Sequence, residues 1–253
     1  QRWWQFARPR PELRTAIEAF RRVLVCSQTS KHRTAVFVDS DQVFSTKVVV
    51  FAFDSVVSLC LFQSRVHSEW GLFLGSSLED RPVYTPLDCF DTFPSPVGWE
   101  CNSALSEAGR RYDDFRAALM VRNNEGLTKT YNRFHDPDER DPDILKLRDL
   151  HDAMDRAVLD AYGWTDIQPR CEFILDYEDD EEETPGKPSK RRKPWRYRWP
   201  DDIRDEVLAR LLELNARRAE AEELTVATRC ESFDLGKKRG RHQKTRHNGP
   251  LLA

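Results

Sequence analysis

The sequence lacks the short motifs by which most catalytic and cofactor-binding sites are recognised. It contains no Gly-x-Gly, which excludes the usual dinucleotide fingerprint and the Gly-rich phosphate loop. The Gly-x-Ser-x-Gly of serine hydrolases is missing as well. None of the Lys residues has an acid two positions before it, so the common nuclease core of the Pro-Asp…(Asp/Glu)-x-Lys type is absent in its standard form. The chain therefore contains no catalytic motif of these classes.

Long apolar runs and paired cysteines are also missing. No stretch approaches the roughly 20 apolar residues of a membrane span, and no signal peptide is visible, so we expect a cytoplasmic protein without a membrane partner. The six cysteines form no Cys-x-x-Cys pair, which argues against a disulfide framework and against a zinc site. Because the first residue is Gln1 rather than Met, we expect a piece of a longer polypeptide or a processed form.

Charged residues make up 33% of the chain, and they are segregated. Residues 176–183 are almost all acidic, and residues 187–199 are rich in bases and aromatics. The basic stretch could contact nucleic acid, or it could pair with the acidic run before it. Blocks of like charge are usually solvated and mobile, so we expect residues 176–200 to be a charged linker and residues 224–253 a basic, disordered tail.

Hydrophobic periodicity predicts an α+β fold, with a small mixed sheet packed against helices and followed by a mainly helical segment. We expect an α/β domain at 1–100 and a helical segment at 101–175 that contains a contact loop at 126–140. The clearest helix begins at Asp141, which can cap it, and ends at Gly163, where a left-handed terminator belongs. The predicted strands are 22–26, 34–39 and 47–53, and the predicted helices are 12–20, 55–74, 103–122, 141–162 and 201–223.

Basic, amide and hydroxyl side chains recur in the loop after the first strand and in residues 126–140. Arg and Lys neutralise phosphates, whereas Gln, Asn, Ser and His can read base edges, although a chain this charged is expected to have charged loops in any case. Two polar residues of the 55–74 helix are weaker candidates. The residues that we expect to bind DNA are Gln28, Ser30, Lys31, His32, Arg33, Arg65, His67, Lys129, Tyr131, Asn132 and Arg133.

A metal-dependent hydrolase is an alternative, because the chain contains two His-Asp pairs, His135–Asp136 and His151–Asp152. The acids that follow the first pair are better explained as helix-start residues, which the helix dipole favours. Prolines also interrupt that cluster, so the sequence favours a capped helix over a metal site.

Several motifs, in order, resemble a family. They are "QSRVHSEW…GSSL", "YTPLDCFDTFPSP", "EGLTKTYNRFHDPDERDPDILKLRDLHDAMDRAVLDAYGW" and "KPWRYRWPDDIRDEVLARLLELN". The series, which spans about residues 1–220, resembles the C-terminal part of adenine-specific DNA methyltransferases of bacterial defence systems. These include MmeI-like (Type IIG) restriction–modification enzymes and the methyltransferases of related phage-defence loci.

The resemblance implies a target-recognition region that follows a catalytic domain. That catalytic domain would bind S-adenosylmethionine and carry an Asn-Pro-Pro-aromatic motif that grips a flipped adenine. This chain has no Asn-Pro, so no cofactor is expected here and the implied partners are double-stranded DNA and a catalytic methyltransferase domain or subunit. A second reading is an interaction subunit that contacts other defence-system proteins through the helices at 141–162 and 201–222.

Overall fold

The computed structural model describes residues 10–78, 81–175 and 195–242, and it confirms the α+β fold class. Contacts divide the chain into two units, residues 1–208 and residues 209–253, with the boundary inside the last helix. Most of the predicted charged linker, at 176–194, lies outside the described residues, as do residues 1–9 and 243–253.

The first unit begins with a helix and a three-stranded antiparallel sheet, rather than the mixed sheet expected, with the order β2-β1-β3. Three consecutive residues of the central strand, Val23, Leu24 and Val25, are buried because this strand is covered on both faces. The three predicted strands are confirmed to within two residues. The elements are α1 (Pro11–Ile17), β1 (Arg22–Ser27), β2 (Ala35–Asp39) and β3 (Val48–Phe51).

The predicted helix at 55–74 is two helices, α2 (Val56–Gln63) and α3 (Arg65–Leu74). Ser64 separates them with an extended backbone, at ψ 156°, and its Oγ accepts a hydrogen bond from the backbone N–H of His67. A serine that caps the second helix in this way ends the first one. The apolar stripe continues across the break, which is why periodicity could not reveal it.

An irregular, proline-rich region follows, as the sequence predicts. It contains β4 (Ser76–Leu78), β5 (Arg81–Val83), α4 (Pro86–Cys89) and a 3-10 turn (Trp99–Cys101). Its aromatic rings join the rings of Phe51 and Phe62 in one cluster, in which the Phe62 centroid lies 5.3 Å from that of Phe90 and 5.9 Å from that of Trp99. This cluster packs the irregular segment against the sheet and α2.

Three helices complete the core: α5 (Ser103–Asn123), α6 (Leu127–Phe134) and α7 (Pro142–Ala161). Helix α5 packs against both α2 and α7. The N-cap of α5 is Asn102, one residue before the expected Ser103. The start of α7 is confirmed, since Asp141 Oδ1 accepts from the backbone N–H of Asp143 at 2.9 Å, and Gly163 has the predicted left-handed backbone, at φ 79°.

The contact loop expected at 126–140 is largely a helix, because α6 occupies residues 127–134. Gly126 takes the N-cap position, and Thr130, Tyr131 and Phe134 form a buried face against the neighbouring helix α7. Tyr131 and Phe134 are the large buried side chains of a segment that is otherwise mostly charged and polar, and they lie on one face of its two turns.

The first unit ends with a two-stranded antiparallel sheet, β6 (Glu172–Leu175) and β7 (Trp195–Arg198), and the start of α8 (Asp201–His242). The remainder of α8 belongs to the second unit. The helix predicted to end at 223 therefore continues to His242, where a disordered tail was expected; no proline interrupts it. No helix in the described ranges combines the length and apolar character that a membrane crossing requires.

Candidate nucleic-acid interface

The two segments predicted to contact DNA meet in the structure, although about a hundred residues separate them. His32 Nε2 lies 2.9 Å from Asn132 Oδ1, so the loop between β1 and β2 is tied to helix α6. Ser30 supports this loop, because its Oγ donates to the carbonyl of His32 at 2.8 Å. The backbone around His32 is therefore fixed by a local turn, and its ring is fixed by a helix from elsewhere in the chain.

Strand β7 adds a cation to this junction. Arg196 Nη1 donates to His32 Nδ1 at 3.0 Å, which places the proton of the neutral ring on Nε2, where it is donated to Asn132. Burial and the nearby charge of Arg196 lower the pKa of His32 to about 4. The ring also stacks on His135, with centroids 5.2 Å apart. His32 is therefore neutral, and the positive charge at this junction comes from Arg196 and from the neighbouring Lys31.

A cavity of about 360 Å³ opens beside the junction. Aromatic walls are supplied by Tyr131, Phe134 and Tyr197, and one carboxylate, Glu69, is present. The five basic residues that line the cavity are Lys31, Arg33, Arg65, Arg196 and Arg198. The sequence predicted three of these five, so the predicted surface and the observed cavity overlap in part.

Arg65 is not the exposed DNA contact that was expected, because it is only 6% exposed. Its Nη1 lies 2.7 Å from Asp152 Oδ1 and 2.5 Å from Asp155 Oδ2, and its backbone N–H donates to Asp155 Oδ1 at 2.8 Å. Burial would raise the pKa of Asp155, but the adjacent Arg65 charge outweighs it and lowers that pKa. Arg65 therefore ties α3 to α7.

His67 is a core histidine rather than a surface contact. Its Nδ1–H donates to the carbonyl of Phe62, and its Nε2 accepts from the hydroxyl of Tyr84, both at 3.1 Å. Burial, with the charge of Arg33, lowers the pKa of His67 to about 3. Both ring nitrogens are used internally, which removes His67 from the recognition surface.

Gln28 lies at the other end of the β1–β2 loop and is half-buried. Its backbone N–H donates to the carbonyl of Lys47, and its carbonyl accepts from the N–H of Tyr84, both at 2.8 Å. The backbone is thereby anchored, and the side chain stays a predicted contact.

The two basic residues of α6, Lys129 and Arg133, differ in the number of carboxylates that they contact. Lys129 is largely exposed, although its Nζ lies 3.1 Å from Glu125. Arg133 contacts three carboxylates, at 3.3 Å from Glu125, 2.7 Å from Glu139 and 2.6 Å from Asp141. Hydrogen bonds to these acids, above all to Glu139, raise the pKa of Arg133. Arg133 fastens α6 to the start of α7 and is therefore occupied inside the chain.

The proposed metal-site residues do not assemble into one site. Among the described residues, the one group of ligating side chains close enough to share an ion is Asp152, Asp155 and Cys171. A cation already occupies that position, because Arg65 contacts both carboxylates. His135 Nδ1 accepts from the backbone N–H of Tyr197 at 3.1 Å. The geometry gives the His-Asp hydrolase alternative no support.

The sequence did not single out Arg196 and Arg198 as individual site residues, because it placed them in a charged linker. The alternation in "WRYR" at 195–198 is the period of a β-strand, and this signal could have revealed β7. The acidic run at 176–183 separates β7 from its partner strand β6, so the pairing of these two strands is non-local.

Comparisons with known proteins give one match. No protein-family model matches the chain, and no curated protein matches it in sequence. Among solved structures, the chain is similar to the Type IIL restriction–modification enzyme MmeI in complex with DNA, with 17% identity and a TM-score of 0.49. The match covers 79% of this chain and 21% of that one, so the chain spans about a fifth of the length of its structural neighbour. A likeness of this extent does not assign a function.

Proposed function

We propose that this chain is the DNA target-recognition part of a bacterial adenine-specific methyltransferase of a restriction–modification or phage-defence system. The observation that carries the proposal is the junction of His32 with Asn132. Two segments chosen from sequence as DNA contacts, and separated by about a hundred residues, meet at 2.9 Å beside a cavity lined by basic residues.

The chemistry of Asn132 suits base reading. Its side chain lies on an exposed position of α6, and its Oδ1 is engaged by His32. The hydrogen bond orients the amide, and the Nδ2 group makes no hydrogen bond among the described residues. An oriented amide can offer its N–H donors to an acceptor on a base edge in the major groove.

Lys31 and Lys129 supply positive charge next to this amide. Both are exposed at their side chains, and a lysine acts on a phosphate as a point charge that fixes register without reading sequence. Lys31 adjoins His32, and Lys129 lies one turn before Asn132 on α6. The recognition surface proposed here therefore consists of Ser30, Lys31, Lys129 and Asn132, with Gln28 at its margin.

The methyl transfer itself is assigned to a part outside this chain. The family resemblance implies a catalytic domain that binds S-adenosylmethionine, and the motif that grips the target adenine is absent from this sequence. The chain would therefore position the duplex, and a catalytic domain or subunit would flip and methylate the base.

The alternative role as a protein-interaction subunit loses one of its two expected surfaces. Helix α7 was to provide an interaction face, but its apolar residues Ile144, Leu147, Met154 and Val158 are completely buried inside the first unit. What α7 leaves on the outside is mainly charged, so it offers a partner no apolar stripe.

The proposal is tested by binding of the chain to labelled duplex DNA, followed by fluorescence anisotropy. Lys31→Ala should weaken binding to all sequences alike, whereas Asn132→Ala should reduce discrimination between sequences by about 1–3 kcal/mol. Lys146→Ala, which removes an exposed charge from α7, is the matched control and should leave binding unchanged. If all three variants bind every duplex as the parent chain does, the proposed surface does not contact DNA.

A further inference from the structure

Two arginines with an unused guanidinium nitrogen line the same cavity. The Nη2 atoms of Arg33 and Arg65 are buried and make no hydrogen bond, and both residues belong to the 360 Å³ cavity. Buried N–H donors are nearly always satisfied, so two unsatisfied guanidinium nitrogens among the residues of one cavity need an explanation. A ligand with several acceptor oxygens would satisfy both.

Arg33 is a cation without a counter-ion among the residues that the structure describes. Its Nη1 makes a long hydrogen bond of 3.4 Å to the carbonyl of Ser68, and its guanidinium carbon lies 6.0 Å from the ring centroid of Tyr84. No carboxylate of the described ranges lies within ion-pair distance of it. Burial lowers the pKa of Arg33, as expected for a charge that has lost its water without gaining an anion.

Arg65 also lines the cavity and is positioned by the acids of α7. Asp152 and Asp155 hold its Nη1, which fixes the plane of the guanidinium and leaves Nη2 unused. A guanidinium held on one edge is prepared to bind a second anion on the other edge, because the group is planar and offers five donors. Phosphate oxygens match this donor arrangement well.

The size and walls of the cavity limit what else the ligand contains. A volume of about 360 Å³ lies within the range of small-molecule sites. Of the three aromatic residues that line it, Tyr131 and Phe134 are buried, and Tyr197 supplies the partly exposed ring on which an aromatic group could stack. Glu69 is the one carboxylate among the lining residues, and burial raises its pKa.

We propose that this cavity binds the phosphate group of a ligand of mononucleotide size, with Arg33 and Arg65 as the phosphate ligands and the aromatic wall as the base platform. The nucleotide comes either from solution or from an unpaired position of a nucleic-acid strand. The proposal goes beyond the reading of duplex DNA by Lys31 and Asn132 and does not depend on it.

Calorimetric titration of the full chain tests the proposal with four probes: adenosine monophosphate, adenosine, inorganic phosphate and a single-stranded oligonucleotide. We expect stoichiometric binding of the monophosphate, and binding of adenosine that is weaker by at least about tenfold. Arg33→Gln should weaken binding by at least about tenfold as well, whereas Arg110→Gln, which removes an exposed charge from α5, should not change it.

Thermal unfolding separates a ligand-binding role from a structural one. If Arg33 is a ligand of the phosphate group, Arg33→Gln should raise the melting temperature of the ligand-free chain, because it removes an uncompensated buried charge. The same variant should abolish the further rise in melting temperature that the monophosphate causes in the parent chain. Arg33→Met, which keeps the length of the stem, repeats the test if the glutamine variant folds poorly.

The probes distinguish the sources of the ligand. Binding of the monophosphate that depends on Arg33 supports a free nucleotide, and binding of the oligonucleotide alone with the same dependence supports a nucleic-acid strand. The proposal is overturned if neither binds, if Arg33→Gln binds both as tightly as the parent, or if adenosine or inorganic phosphate binds as tightly as the monophosphate. Duplex recognition by Asn132 is unaffected by any of these outcomes.

Discussion

Removal of the buried carboxylate of Asp155 should destabilise the first unit more than any exposed change on the same helix. The side chain is completely buried and accepts two hydrogen bonds from Arg65, at 2.8 Å from the backbone N–H and 2.5 Å from Nη1. The residues lie 90 positions apart in sequence, so the contact joins α3 to α7. Asp155→Ala removes both acceptors and leaves a buried cation.

Two contributions set the loss of unfolding free energy that we expect for Asp155→Ala. Removing one partner of a buried ion pair costs about 3–5 kcal/mol, and the orphaned backbone N–H adds to this cost. Asp152 keeps its contact with Arg65 at 2.7 Å, which offsets part of the loss. We therefore expect Asp155→Ala to lower the free energy of unfolding by about 3–5 kcal/mol. Asp155→Asn, which keeps an oxygen for the N–H, should cost about 2–3 kcal/mol.

Urea unfolding at neutral pH measures these differences. Asp160→Asn is the matched control, because Asp160 also pairs with an arginine of α7 but is half exposed, and the variant should cost less than about 1 kcal/mol. If Asp155→Ala costs no more than Asp160→Asn, the Arg65 cluster does not hold the two helices together, and the assignment of Arg65 as a fixed cation is wrong.

Three further changes test the fold and the junction. Gly109→Ala should destabilise the chain by about 1–3 kcal/mol in a thermal melt despite the better helix propensity of alanine, because its Cβ would lie 2.3 Å from the carbonyl oxygen of Val56. Gly126→Ala, with no atom within 4 Å of the new Cβ, should cost only the difference between glycine and alanine at the N-cap of α6, less than about 1 kcal/mol. The pKa of His32 is about 4 in the folded chain and higher in the unfolded chain, so the unfolded chain takes up the proton first and stability falls as the pH falls from 6.5 to 4. His32→Gln should reduce the slope of this loss by up to about 1.4 kcal/mol per pH unit. An unchanged slope in pH-dependent urea unfolding would contradict the assignment of His32 as a neutral side chain. Asp141→Ala should cost about 1–2 kcal/mol in the same assay, because the cap of α7 is lost, and a neutral result would refute the capping assignment.

Elements with strong local signals could be predicted from the sequence. The start of α7 is determined by an aspartate that caps and a proline at the first helical position, and both act through the backbone next to them. The strands of the first sheet were found for a similar reason, since runs of β-branched and aromatic residues between polar turns leave few alternatives. Such features need no knowledge of distant residues.

The remaining features depend on distant partners and could not be predicted. The sequence shows that Arg65 is polar, but not that Asp152 and Asp155, which lie 87 and 90 positions away, neutralise it. A buried arginine and an exposed one look alike in a helical pattern. The predicted contact loop was largely a helix because the tertiary packing of Tyr131 and Phe134 stabilises a short segment of low apolar content.

The candidate site shows the same division. The segments around His32 and Asn132 were both predicted to contact DNA, and the structure shows that they touch each other, a contact that only the fold could reveal. Strand β7 was hidden in a charged stretch, and with it the two arginines that complete the basic lining. The sequence shows where the basic residues lie along the chain, but only the fold shows which of them line the same cavity.

Selection of duplexes from a random pool tests our proposal that this chain recognises a DNA sequence. The full chain is immobilised, bound duplexes are recovered at physiological salt, and their sequences are determined over successive rounds. We expect enrichment of one defined sequence, with the enrichment reduced by Asn132→Ala and retained in Lys146→Ala. Recovery of duplexes without any enriched sequence, or the same enrichment in both variants, would contradict it.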